Sequence, residues 1–298
     1  MSARSDAGLA RPSARAINRA AIVDRNFIDF LESWDEPAAA PADPDAVMHP
    51  GSTLTGRVFL DLFRYQIQSR QIDLVAREMR ARNEGFYTIG SSGHEGNAAL
   101  GYLTRGDDPA FLHYRSGAFM MARGAKDPEA DPVYDTALSL AASAEDPISG
   151  GRHKVWGNRK LWVPPQTSTI ASHLPKAVGA AIALEQAKRN RVEPPVSGDA
   201  IVICSFGDAS ANHSAAAGAF NAAQWTSFQG LPAPVLFVCE DNGLGISVKT
   251  PRGWIEANFR QRPGLDYLRA DGLDPVSYTH LTLPTTCTPC RSRWGGGG

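Results

Sequence analysis

Apolar and polar positions divide the chain into regular stretches separated by Gly- and Pro-containing breaks. Ile201, Val202, Ile203, Cys204 and Phe206 form one short apolar run, and Val235, Leu236, Phe237, Val238 and Cys239 form another. Between them lies a segment of small residues, 211–223, carrying Asn212, His213 and Asn221 and closed by a break at Gly230, Pro232 and Pro234. Two β-rich runs around a helix-length segment read as strand, helix, strand. A crossover of that length suits a parallel pair. Upstream, residues 55–82 place Val58, Leu62, Tyr65, Ile67, Ile72, Leu74, Val75 and Met79 on an apolar face with Arg and Gln between. That pattern predicts one long helix, N-capped by Thr55 and stopped at Asn83 and Gly85. A small-residue helix through Leu103, a short strand from Ala110 that ends in Tyr114 and Arg115, and a helix from Phe119 closed by Gly124 follow. Residues 177–183 read as a tightly packed buried helix, and the Gly- and base-rich segment 151–157 as a mobile loop.

The ends of the chain differ from this middle. Residues 1–50 predict an arm and linker. Ile17, Ala20, Ala21, Val23, Phe27, Ile28, Phe30 and Leu31 follow a helical spacing, Pro37 stops it, and an Ala/Pro/Asp-rich stretch leads to Pro50. The arm is expected to pack on another subunit or on the main domain. Arg4, Arg11, Arg15 and Arg19 among Ala and Ser suit a mitochondrial leader. Asp6 and Asp24 count against it, so the expected location is cytoplasmic, with the mitochondrial matrix as the alternative. Residues 276–298 are rich in Thr, Pro and Gly, and 277–285 resemble translated adaptor sequence. They are therefore set apart from the expected domain, 51–275. Cys287 and Cys290 are a lone C-x-x-C and are assigned no metal.

Composition narrows the picture further. The chain has 298 residues, 30 basic and 31 acidic, and a formal net charge of −1. Such a balance points to neither a nucleic-acid nor a membrane partner. Four cysteines, two of them inside the strands, read as buried thiols rather than a disulfide framework.

Candidate chemistry gathers where the two strands end. Asp208 follows the first and Asn242 the second, and in parallel sheets ligands collect beyond the carboxyl ends of the strands. Gly207 and Gly243 let the backbone turn sharply there. A carboxylate and an amide oxygen on adjacent strand tips suit Mg2+, which takes a few hard oxygens from protein and the rest from phosphate and water. The alternative is two ordinary turns with Asp and Asn as turn residues.

Gly207-Asp208-Ala209, followed at the next strand end by Asn242, resembles the thiamine-diphosphate motif. It departs from that motif at Ala209 and Asp241, where the family has Gly and Asn. The chain from about 55 to 275 resembles the alpha subunit of the first component of 2-oxo acid dehydrogenase complexes. The matching blocks stand in the family's order: the long helix, Phe86-Tyr87, His94-Glu95-Gly96, Tyr114-Arg115, Arg123-Gly124, and the segment 167–183. This last block is closest to the branched-chain type. Gly117 stands where pyruvate-type members have His.

The resemblance implies an α/β thiamine-diphosphate-binding fold with a mostly parallel sheet and helices on both faces. Tyr114 and Arg115, with His113 beside them, are implied to bind the diphosphate. Ser168 and Ile170 are implied to hold the aminopyrimidine, and Gly207, Asp208, Ala209, Ser210 and Asn242 the diphosphate edge. Asp208, Asn242 and the Leu244 carbonyl are the implied Mg2+ ligands. Thr167, Thr169, Ser172 and His173 are implied for K+, and His94 is expected to be structural. The implied activity is oxidative decarboxylation of a small 2-oxo acid with acyl transfer to a lipoyl-bearing acyltransferase. A beta subunit or fused beta half would complete the site, and without it this truncated chain would be inactive. A transketolase-like enzyme and a non-catalytic remnant are the alternatives; a dinucleotide oxidoreductase lacks its G-x-G-x-x-G turn here.

Overall fold

A computed structural model of the chain describes residues 19–35, 43–87, 89–231 and 233–282. Residues 1–42 and 43–298 form two compact units. The first contains helix α1 (Arg19–Glu32), where the apolar spacing predicts one. The Phe30 and Trp34 rings meet edge-on just past its last turn, at 5.3 Å.

The second unit carries everything else. It begins with the long helix α2 (Gly56–Ala81), whose first turn is capped by Thr55 Oγ1 accepting from Val58 N at 3.4 Å. Next come α3 (Ala98–Leu103), β1 (Ala110–Phe111), α4 (Gly117–Gly124), α5 (Pro132–Leu140), β2 (Trp156–Asn158), β3 (Val163–Gln166) and α6 (Leu174–Arg189). β4 (Val202–Gly207), α7 (Ser214–Phe228), β5 (Val235–Glu240), α8 (Trp254–Phe259) and α9 (Pro275–Thr282) complete it. β1, β4 and β5 form a parallel sheet in the order β1-β4-β5, and β2 and β3 pair as a separate antiparallel hairpin.

The fold is α/β, with helices on both faces of the parallel sheet as expected. Alternate β4 residues face opposite ways. Ile203 packs in a core with residues of α2, α3 and α4, whereas Val202, Cys204 and Phe206 pack with residues of α6 and α7. A strand covered on both faces has no polar side, which is why it reads as a continuous apolar run. Small residues at 177, 181, 216, 219 and 223 are all buried and let α6 and α7 lie close to the sheet and to each other. Among the described residues no helix is long and apolar enough to cross a membrane.

Three expectations change. β1 ends at Phe111, so Tyr114 and Arg115 lie in the turn beyond it. Segment 151–157 is no mobile loop at its C-terminal end, because Lys154, Val155 and Trp156 are buried. Trp156 Nε1 donates to the Tyr114 carbonyl at 2.9 Å, and Lys154 Nζ lies 3.4 Å from the Trp156 ring centre. The boundary at 275 also moves, because α9 carries the chain to Thr282 and Tyr278 joins the core beside α3. Tyr278→Ala is expected to cost about 3 kcal/mol, as aromatic truncations in cores do. Chemical denaturation reads this directly. An unchanged midpoint would restore the boundary at 275.

Candidate functional site

Register places the site. Gly207 pairs with Glu240 at the last rung between β4 and β5, so the chain leaves the sheet on neighbouring strands at Asp208 and at Asp241-Asn242. Asp208 opens a 3-10 turn (Asp208–Asn212). It is 1% exposed; Oδ1 accepts from Ala209 N at 2.7 Å, and Oδ2 is buried with no hydrogen-bond partner. Burial and then the Asp208 carboxylate push the Asp241 carboxyl above its ordinary range. Two carboxyls thus converge where one strand-end oxygen stands unpaired, a placement that a divalent cation would relieve. Asn242 is exposed, and its Oδ1 accepts from Leu244 N at 3.0 Å, closing a tight turn after β5. Leu244 is exposed.

Ala209 replaces the motif's Gly without backbone strain, since its φ is not positive. Space is made for it across the turn. A Cβ on Gly245 would lie 2.8 Å from the Ala209 methyl. Ser210 is buried in the same turn, and Gly207 has open space up to the His113 ring, whose Nε2 would be 3.5 Å from an added Cβ.

The segment after β1 supplies the basic residues of the site. His113 is buried, and its backbone N–H donates to Ser205 Oγ at 2.9 Å. Its ring packs 4.1 Å from that of Tyr114, and the Arg115 guanidinium lies 5.1 Å from the Tyr114 ring centre. Arg115 Nη1 donates to the Gly90 carbonyl at 2.6 Å. Among the described residues Arg115, partly buried, has no carboxylate partner, which leaves its guanidinium able to take an anion. Burial and the charges of His94, His173 and Arg115 hold the His113 ring far below the usual imidazole range.

Gly117 has a packing reason. A Cβ there would lie 2.4 Å from both Ser69 Oγ and Ser91 Oγ, and Gly117 N donates to Ser91 Oγ at 3.2 Å. A side chain there fits only if both serines move, so the His of the pyruvate-type pattern would be crowded. Gly117→His is expected to lower stability by about 3 kcal/mol through overpacking, read as a shift in denaturation midpoint. A variant as stable as the parent would show that Ser69 and Ser91 yield freely.

Loop 167–173 is split by the fold. Thr167 Oγ1 and Thr169 Oγ1 lie 2.9 Å apart, and Ser172 Oγ donates to the Thr169 carbonyl at 3.1 Å. The buried His173 turns away, with Nε2 2.7 Å from the Ser205 carbonyl on β4. Of the four residues implied for K+, Thr167, Thr169 and Ser172 thus stay together in the loop and the His173 ring does not join them. Ser168 Oγ lies 3.3 Å from His153 Nε2, and Ile170 is 40% exposed, in keeping with a residue that meets a ligand.

Two residues enter the site that the sequence reading left out. His94, expected to be structural, reaches Glu240, and its Nε2 lies 3.5 Å from Asn242 Nδ2. Glu240 Oε1 also accepts from Asn97 Nδ2 at 3.2 Å. Glu240 was legible in principle: it stands at the carboxyl end of β5, two residues before Asn242. His94 was not, because only the tertiary fold carries the turn before α3 to that strand end. Burial and then the Arg115 charge lower the His94 pKa to about 4, against the opposing Asp208 carboxylate.

Comparison with known proteins adds the following. Residues 66–280 match the dehydrogenase E1 component family. The chain is 30% identical over 194 residues to the mitochondrial 2-oxoisovalerate dehydrogenase subunit alpha of Mus musculus, covering 63% of this chain and 38% of that protein. It is 27% identical over 236 residues to the 2-oxoisovalerate dehydrogenase subunit alpha of Bacillus subtilis (strain 168), covering 76% and 65% respectively. The Bos taurus mitochondrial subunit alpha is 36% identical over 130 residues, 43% of this chain and 26% of that protein. The aligned part thus spans less than two thirds of each of these relatives.

Proposed function

The chain belongs to the dehydrogenase E1 component family, and from that premise we propose that it is the diphosphate- and magnesium-binding alpha part of a branched-chain-type 2-oxo acid dehydrogenase. The family is thiamine-diphosphate-dependent. The observation that carries the reading is a pair of complementary groups at the sheet's carboxyl end: Arg115, without a carboxylate partner among the described residues, and Asp208, with an orphaned buried oxygen. An anion that brings its own divalent cation satisfies both.

Each residue's part follows from its chemistry. Arg115 and Tyr114 would bind diphosphate oxygens, the guanidinium as a planar fork and the phenol as a neutral donor. Asp208, Asn242 and the Leu244 carbonyl would hold Mg2+, with phosphate and water filling the remaining positions. Ser168 and Ile170 would contact the aminopyrimidine. When bound, the cofactor supplies the electron sink for decarboxylation, and the protein supplies orientation and a dry site. The glutamate that activates the aminopyrimidine in this family is proposed to come from a beta subunit or fused beta half. The acyl acceptor is proposed to be a lipoyl group on an acyltransferase.

The direct test is calorimetry of thiamine diphosphate binding with and without Mg2+. Magnesium-independent binding, or none, would remove the reading. Within that test Arg115→Lys is expected to weaken binding by about tenfold although charge is kept, because a point charge loses the fork. Equal affinity would make Arg115 a structural link to Gly90.

A further inference from the structure

Next to the oxygen donors Asp208 and Asn242 lies a second donor set of different chemistry. His94 comes from the turn before α3, His113 from the segment after β1, and Glu240 from the end of β5. One donor atom from each lies within 4.8 Å of the other two. His94 is 7% and His113 5% exposed. The His94 Nδ1 meets Glu240 Oε2, and the two imidazoles face each other with ring centres 5.0 Å apart. The His113 Nδ1 is buried with no hydrogen-bond partner. The surroundings hold the set in place. Asn97 donates to the other Glu240 oxygen at 3.2 Å and is itself fixed by Phe119 N on its Oδ1 at 2.7 Å. Such outer hydrogen bonds orient metal-binding side chains.

Two imidazoles and a carboxylate from three elements are a donor set suited to a borderline cation. Zn2+ takes three such ligands and leaves a fourth position open. Mg2+ prefers oxygen alone. We propose that His94, His113 and Glu240 form a binding site for a divalent transition-metal cation, Zn2+ fitting best, distinct from the all-oxygen set of Asp208 and Asn242. Tetrahedral Zn2+ with bonds of about 2.0 Å spaces its ligand atoms about 3.3 Å apart, so side-chain rotation adjusts the set when the ion enters, and His94 and Glu240, which touch each other without it, part to admit it. The fourth position is then free for water or an oxyanion.

The proposal stands independently of the cofactor reading, and its test needs no thiamine diphosphate. The full chain, carrying Cys287→Ser and Cys290→Ser so that the tail thiols cannot contribute, is titrated with Zn2+ against a chromophoric chelator. The expected result is one Zn2+ per chain, undisturbed by millimolar Mg2+. Binding should weaken by roughly tenfold or more in His94→Ala and in Glu240→Gln, and should be unchanged in His213→Ala, which alters an exposed histidine at the start of α7. Co2+ in the same chain should give ligand-field bands without sulfur charge transfer. Glu240→Gln keeps the shape of the side chain, and circular dichroism identical to the parent shows that it still folds. Absence of stoichiometric binding, or binding equally tight in both variants, would overturn the site, as would loss of binding in His213→Ala.

Discussion

Asp208→Ala is expected to weaken magnesium-dependent thiamine diphosphate binding by about a hundredfold, or about 2.7 kcal/mol. Asp208 is a buried strand-end carboxylate with one oxygen that has no hydrogen-bond partner among the described residues. Removing it leaves the cation with Asn242 and a carbonyl, both neutral, and the diphosphate without its bridge. Stability should move little or rise slightly. The variant loses only one local hydrogen bond, to Ala209 N, and relieves the repulsion that raises the Asp241 carboxyl. Calorimetry with Mg2+ present measures the affinity, and thermal unfolding separates a site effect from unfolding. Unchanged affinity in a folded variant would sink the site assignment.

The second large effect is acid destabilisation by histidines buried neutral. His113 and His173 are 5% and 2% exposed. Burial is the first cause lowering the pKa of each, and the His113 ring additionally faces His94, His173 and Arg115. The folded pKa lies below the unfolded value of about 6.5. Below that pH the unfolded chain therefore binds protons that the folded chain does not. Stability is complete above pH 6.5 and falls as the pH drops. His113 alone contributes a loss of about 1.4 kcal/mol per pH unit below 6.5, and His173 adds in the same direction. His94, lowered to about 4 mainly by burial, adds in the same direction. Urea unfolding at pH 7.0 and 5.0 is expected to show the drop, and His113→Asn is expected to reduce it. The same pH slope in the variant would place the titrating groups elsewhere.

The line between what was legible in the chain and what was not runs between local order and encounter. Residues 201–247 announce β4, α7 and β5 because a strand buried on both faces is apolar throughout, and a helix squeezed against it is built of small residues. Thr55 announces the start of α2 because capping is a contact between residues three apart. Elements that depend on remote partners left no such trace: the Pro-bearing hairpin of β2 and β3, the short α5 and α8, and α9, whose Tyr278 has meaning only against α3. The site divides in the same way. Asp208 and Asn242 are readable because strand ends bear ligands wherever a parallel sheet forms. That Arg115 lacks a carboxylate, that His173 turns from its loop to β4, and that a side chain at Gly117 would be crowded are decided by neighbours far away in sequence. So is the meeting of His94 and His113 with Glu240. Each comes from a different element, and only packing α2, α3 and α4 on one face of the sheet brings their donor atoms together, because the distances over which ligands and charges act are shorter than anything spacing along the chain can specify.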